Sequence, residues 1–232
     1  MSAKADSAVR DGLLEAEARG MAMFDAIERA GLIAPGKTEK ALDDEIFLLA
    51  KRDFGVRTHW HKRVVRAGEN TLCIFAETPP MRTIAADDIV YLDLGPVFEA
   101  ANAQWEADLG RSYALGNNAD KARLVADLPR VFDLVKAHYE AMSGITGAQL
   151  YAYAQQAAAE AGWEFGGAIA GHIVGEFPHA QIPGDKNLNR VAPANPKAMR
   201  EPDERGAARH WILEIHLVDR ARKFGGFYER LL

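Results

Sequence analysis

Residues 88–115 read DIVYLDLGPVFEAANAQWEADLGRSYAL. Two apolar runs in this stretch each carry an aspartate. Asp93 lies in Val90-Tyr-Leu-Asp-Leu-Gly95, and Asp108 lies in Trp105-Glu-Ala-Asp-Leu-Gly-Arg111. The Ile, Val, Leu and Tyr content predicts strands over 88–98 and 105–115, joined by a polar turn near Ala100–Asn102. A two-residue turn at Ala100–Ala101 would set Asp93 directly opposite Asp108, with their Cβ atoms roughly 4.5–5.5 Å apart.

The same pattern recurs near the C-terminus. Strands are predicted over 211–218 and 223–231. A turn near Ala221–Arg222 would make Glu214, in Trp211-Ile-Leu-Glu-Ile-His216, the cross-strand partner of Glu229. Like charges facing each other across apolar strands are destabilising, and burial would force some of the four to stay protonated. Divalent cations resolve the conflict, and two of them would balance four carboxylates. The alternative is that these acids lie on solvent faces or pair with Arg111 and Arg230.

Histidines add a second class of ligand. His172 follows a glycine in Gly171-His-Ile-Val-Gly175, and a glycine there permits close backbone approach to a site. His179 lies seven residues on. Imidazole commonly joins carboxylates around first-row metals. His216 shares a strand face with Glu214 by period two, which makes it a neighbour of the site. His138, on a helix, and His59 and His61, in a segment (56–66) that reads as extended, are more simply structural or on a polar strand face.

The remaining chain supplies helices. Apolar spacing predicts helices over 5–31, 39–53, 119–143 and 147–161. Thr38 is an N-cap candidate, Thr146-Gly-Ala-Gln149 has capping-box spacing, and Pro129 falls inside the third helix. Residues 165–174 read as a strand, and 184–209 as a long polar loop, long enough for a lid or a homodimer arm. The Thr-started helix running into a strand occurs twice, from Thr38 and from Thr146, which suggests a duplicated half. The fold class is therefore α+β, a mostly antiparallel sheet with helices on one face.

The chain has 232 residues, 33 acidic and 28 basic, for a formal net charge of −5. Hydrophobic residues make up 48% and charged residues 26%. These globular values exclude a disordered chain or a fibrous rod. A net negative charge argues against general nucleic-acid binding. The single cysteine, Cys73, excludes an internal disulfide and suits a reducing compartment. No run approaches the roughly 18 apolar residues of a bilayer span, and residues 1–30 lack the apolar core of a signal peptide. A soluble cytoplasmic protein with no membrane partner is expected.

Taken in order, these motifs resemble the pita-bread metallopeptidases: methionine aminopeptidase, aminopeptidase P and prolidase. Leu92-Asp93-Leu-Gly95 and Glu106-Ala-Asp108-Leu-Gly-Arg111 are similar to that family's two Asp motifs. Gly171-His172-Ile-Val-Gly175 and Pro178-His179 are similar to its histidine motifs, and Leu213-Glu214-Ile215 and Tyr228-Glu229-Arg230 to its two Glu motifs. The resemblance implies a single catalytic domain over 1–232, with a pseudo-twofold duplication of helix-helix-strand halves around a curved sheet. It implies two divalent ions (Mn, Co, Zn or Fe) holding a shared water or hydroxide. Asp93 would bind one ion, His172 and Glu214 largely the other, and Asp108 and Glu229 would bridge them. Glu214 would shuttle a proton, and His179 would hydrogen-bond the substrate carbonyl or tetrahedral intermediate. His216 would border the substrate.

The implied reaction is hydrolysis of an amide bond at the N-terminal end of a peptide. A small non-peptide amide as substrate, or a non-catalytic binding role on the same fold, are the alternatives. This chain departs from the family in five places. No histidine occurs in Thr71-Leu-Cys-Ile-Phe-Ala-Glu77, where members often place one on a strand before the first Asp. The two Asp are further apart and the two Glu closer than is usual. Ile173 stands third in the Gly-His motif, and Ile215 replaces the usual proline after the first Glu.

Overall fold

The computed structural model describes residues 3–100, 103–179 and 184–232, with side chains from residue 6 onward. Helices α1 (Ala3–Arg29) and α2 (Glu39–Phe54) come first. The Thr38 side chain accepts from the Ala41 amide at 3.1 Å, and Gly55, at φ 68°, closes α2 in the left-handed region. Strands β1 (Val64–Ala67), β2 (Ile89–Leu94), β3 (Val97–Ala100), β4 (Ala103–Glu106) and β5 (Leu109–Ala114) follow. Helices α3 (Ala119–Ala141) and α4 (Gly147–Glu160) open the second half, and α3 continues through Pro129. Thr146 and Gln149 form a complete capping box on α4. Strands β6 (Glu164–Phe165), β7 (Gly171–Val174), β8 (His210–Asp219) and β9 (Phe224–Leu231) complete the chain.

The main sheet is antiparallel, in the order β1-β2-β5-β9-β8-β6, with β7 also pairing β8. Strands alternate their faces. Val90, Leu92 and Leu94 turn toward α1 and α2 in one core, while Leu213, Ile215 and Leu217 turn toward α3 and α4 in another. Each helix pair thus covers its own half of the sheet. The halves join where β5 meets β9 at the single registered pair Gly110–Glu229. Among the described residues, no helix is long and apolar enough to cross a membrane.

Several expectations change. The predicted strands 88–98 and 105–115 each break, because Gly95-Pro96 interrupts the first and Ala107-Asp108 the second. Proline cannot donate to a sheet ladder. There the ladder is replaced by the loop before β1: the Trp60 amide donates to the Gly95 carbonyl (2.9 Å), and the Val97 amide donates to the Thr58 carbonyl (3.0 Å). Beyond the break, β3 and β4 form a separate two-stranded ribbon.

The expected Asp93–Asp108 pairing is not the register found. Asp93 faces Gly110, two residues further along, and Asp108 precedes β5. The expected turn at Ala100–Ala101 falls partly on Ala101, outside the described residues, but Ala100 is a strand residue paired with Ala103, which places the pairing one residue beyond that turn. A shift of two preserves the face, so both aspartates still project to the same side. The expected strand 165–174 is likewise split into β6 and β7, and of the segment 56–66 only Val64, Val65 and Arg66 lie in a strand of the sheet, as part of β1.

The long loop 184–209 is packed down along much of its length. Val191, Asn195 and Met199 are fully buried, and the Asn195 side-chain amide donates to the carbonyls of Leu188 (3.1 Å) and Arg190 (2.7 Å).

Gly110 leaves no room for a side chain on the sheet's polar face. A Cβ there would lie 2.5 Å from Phe227 and 3.0 Å from the Glu229 Cβ. Gly110→Ala is expected to cost about 1–3 kcal/mol, as overpacking does. At about 2–4 °C per kcal/mol for a chain of this size, a thermal melt reads it directly. An unchanged Tm would contradict the close approach.

Candidate metal centre

On the face away from the helices, strand register sets acids in a row. Asp93 on β2 faces Gly110 on β5, Gly110 faces Glu229 on β9, and Glu229 faces Glu214 on β8. The Glu214–Glu229 pairing is the one the sequence predicts. His172 on β7 pairs with Ile212, two residues from Glu214, and so projects to the same face. Asp108 comes from the break before β5. Asp93, Asp108 and Glu229 are all buried, at 7%, 3% and 2% exposure.

The distances form one connected cluster. His172 Nε2 lies 3.1 Å from Asp108 Oδ2, 3.6 Å from Glu214 Oε1 and 3.9 Å from Glu229 Oε1. His61 lies on the other side of Asp108. Its Nε2 is 3.0 Å from Asp108 Oδ1 and 3.5 Å from Asp93 Oδ1. Two groups of donors each converge closely enough for a cation: His61, Asp93 and Asp108; and Asp108, His172 and Glu229. The sequence predicts a structural or polar-strand-face role for His61; instead it lies in a loop with its Nε2 against Asp108 and Asp93. It arrives on the loop that fills the break at Gly95-Pro96, where a Cβ on Gly95 would strike the imidazole. No periodicity marks such a loop residue.

The electrostatics follow from crowding. Burial, with neighbouring acids adding to it, raises the carboxyl groups of Asp93, Glu214 and Glu229 above their ordinary range. Burial acts on Asp108 in the same sense, but His61 and His172 outweigh it and hold that group low. Burial alone would lower the two histidines. The acids reverse this and raise His61 to about 10 and His172 to about 9. Each imidazole Nε2 faces carboxyl oxygens of the cluster, so a proton or a metal cation must lie between them. Glu229 Oε2 is buried with no hydrogen-bond partner among the described residues. Hard oxygen donors joined by imidazole, with one oxygen left over, fit a first-row divalent ion.

A cavity of about 440 Å³ opens over the cluster. Its floor includes Asp93, Asp108, His172, Glu214 and Glu229, its walls Trp60, Phe75, Tyr91 and Phe227, and its rim Lys186 and Arg190. His179 also lines it. Its Nδ1 donates to Glu106 Oε2 at 2.6 Å, and its backbone amide donates to Glu106 Oε1 at 3.0 Å. Glu106 is 1% exposed, a buried acid quoted in the sequence motif but given no role there.

His216 lines the cavity too, but its Nε2 donates to the Thr71 carbonyl at 2.8 Å, and burial lowers its pKa to about 4. It is therefore a neutral wall residue whose Nε2 is already engaged, rather than a free substrate contact at that atom. His138 stacks on Tyr153 at 3.7 Å, away from this cluster.

The sequence profile of metallopeptidase family M24 matches residues 11–202. No curated protein matches the chain. Among solved structures, a prolidase from Thermococcus sibiricus superposes with a TM-score of 0.71 at 18% identity, over 97% of this chain and 55% of that one. An X-Pro aminopeptidase from Thermotoga maritima gives 0.69 at 18%, over 97% and 57%. A dipeptidase from Mycobacterium ulcerans gives 0.67 at 21%, over 94% and 54%. The chain thus spans little more than half the length of these structures. The likeness establishes the pita-bread fold, with its two helix-helix-strand halves. With most of its length inside the family profile, this chain belongs to metallopeptidase family M24.

Proposed function

We propose that the protein is a metal-dependent hydrolase of an amide bond near the N-terminal end of a peptide, of the aminopeptidase or Xaa-Pro peptidase type. The observation that carries this reading is the buried Glu229 Oε2, left without a partner in a cluster of acids at the floor of an open cavity. Asp93, Asp108, His172, Glu214 and Glu229 would hold two divalent ions, with Asp108 and Glu229 shared between them. Once bound, such ions supply an acidified water and polarise the scissile carbonyl.

The chain's own groups do the rest. Glu214, its carboxyl raised by burial, is suited to take a proton at one oxygen and return it to the departing amine. His179 has its Nδ1 committed to Glu106, which leaves Nε2 as the nitrogen available to the substrate. To donate from Nε2 as well, the ring must carry both protons, and the buried Glu106 carboxylate balances that charge. Such a donor stabilises an oxygen that becomes negative. The aromatic walls exclude water around the cleaved bond.

A panel of Xaa-Pro dipeptides, Met-Xaa peptides and acylated amides, with manganese or cobalt, tests the reading. Hydrolysis of at least one class is expected, abolished by EDTA and lowered by roughly 10²–10⁴ in kcat in Glu214→Gln. Protein that binds metal yet cleaves none of the panel would favour a binding role instead.

The cluster also sets a pH dependence. His61 and His172 are raised from 6.5 to about 10 and about 9, so their contribution is complete below pH 6.5 and is lost as pH rises toward 9. The raised carboxyl groups act in the same sense, and the lowered Asp108 is constant over this window. The Tm of EDTA-treated protein is expected to fall between pH 6.5 and 9, with a shallower slope when manganese replaces those protons. A flat profile for the metal-free protein would contradict the electrostatic account.

A further inference from the structure

His61 and His172 present the same geometry on opposite sides of one carboxylate. His61 Nδ1 donates to the carbonyl of the next residue, Lys62, at 2.6 Å, and His172 Nδ1 donates to the carbonyl of Ile173 at 2.8 Å. Both Nε2 atoms are thereby turned toward the cluster. His61 approaches Asp108 Oδ1 at 3.0 Å, and His172 approaches Oδ2 of the same group at 3.1 Å. A metal-binding imidazole usually donates its other N–H to a backbone carbonyl or carboxylate in this way, which orients the ring and sets the tautomer.

The spacings fit ligands that share an ion. Donor atoms about 2.1 Å from a metal lie about 3.0 Å apart at a right angle and about 3.4 Å apart at a tetrahedral angle. His61 Nε2 meets Asp108 and Asp93 at 3.0 and 3.5 Å. The ring is held there by three independent features. The Trp60 backbone bonds Gly95, the Trp60 indole N–H donates to the Ala107 carbonyl at 3.1 Å, and Gly95 leaves the space a side chain would occupy.

We infer that His61 is a sixth protein ligand of the metal centre, completing the Asp93–Asp108 side as His172 completes the other, so that each ion has one imidazole. This rests on the reading of the cluster as a two-metal site. It sets the chain apart from a centre with a single imidazole, and it gives the Asp93 side a nitrogen donor that favours the later first-row ions.

Cobalt(II) is the probe. Equilibrium dialysis first counts bound ions, and a protein that takes up no cobalt overturns the two-metal reading together with this inference. In cobalt-loaded protein, the N–H of each coordinated imidazole gives a hyperfine-shifted proton resonance that disappears in D2O. Two such resonances are expected in the wild type. His61→Ala should remove one and weaken cobalt binding at one site at least tenfold, and His172→Ala should remove the other. Gly95→Ala, which displaces the ring without altering any donor, should also perturb the His61 resonance. A single exchangeable resonance in the wild type, with cobalt bound, would show that His61 only neighbours the ligands and would overturn the inference while leaving the metal reading intact.

Discussion

Several negative charges are confined to one face of an antiparallel sheet, and the surrounding architecture is arranged around that confinement. Asp93, Glu214 and Glu229 lie on a row of register partners across neighbouring strands, and Asp108 enters the same space from a strand break. Such a row is unfavourable on its own, because like charges repel and burial penalises each of them. Without a metal the molecule can hold it only by keeping protons on the carboxyl groups and on the two imidazoles. A divalent cation would replace those protons with a charge that the oxygen donors can surround.

The rest of the fold makes the confinement possible. Helix pairs α1–α2 and α3–α4 cover the opposite face, so the two apolar cores are closed without using the polar one. Gly110 fills the position in the row where a side chain would collide with Phe227 and Glu229. The interruption at Gly95-Pro96 frees two backbone groups, and the loop that takes them carries Trp60 and His61 into the cluster. Glu106, at the end of the small ribbon, fixes His179 at the cavity wall through both its ring and its backbone. The groups of the proposed site are thereby held by strand register and by hydrogen-bonded loops, as a reaction that depends on positioning would require.

How much of this the sequence reveals depends on continuity of the elements. Glu214 and Glu229 lie in two uninterrupted strands joined by a short turn, and their pairing is legible from spacing alone. The helix starts at Thr38 and Thr146 are legible for the same reason, since a cap acts within one turn. Asp93 and Asp108 are separated by two breaks and a side ribbon. The breaks leave the count intact, since β2–β5 and β3–β4 keep one register. The miss of two arises because Ala100 pairs with Ala103, one residue beyond the expected turn, and the face survives because side chains alternate with period two. His61 is invisible to any periodic pattern. Its place depends on backbone bonds between a loop and a strand break more than thirty residues away. His216 shares its strand face with Glu214 as expected, but the carbonyl of Thr71, remote in sequence, decides what its Nε2 does.

The claim beneath the whole account is that cations neutralise this row of acids. Anomalous diffraction at the manganese edge, from crystals grown with manganese, addresses it without reference to any substrate. The account predicts two peaks about 3.5–4 Å apart, bounded by Asp93, Asp108, His172, Glu214 and Glu229. A map with no peak among those side chains, in crystals containing an excess of the metal, would contradict it.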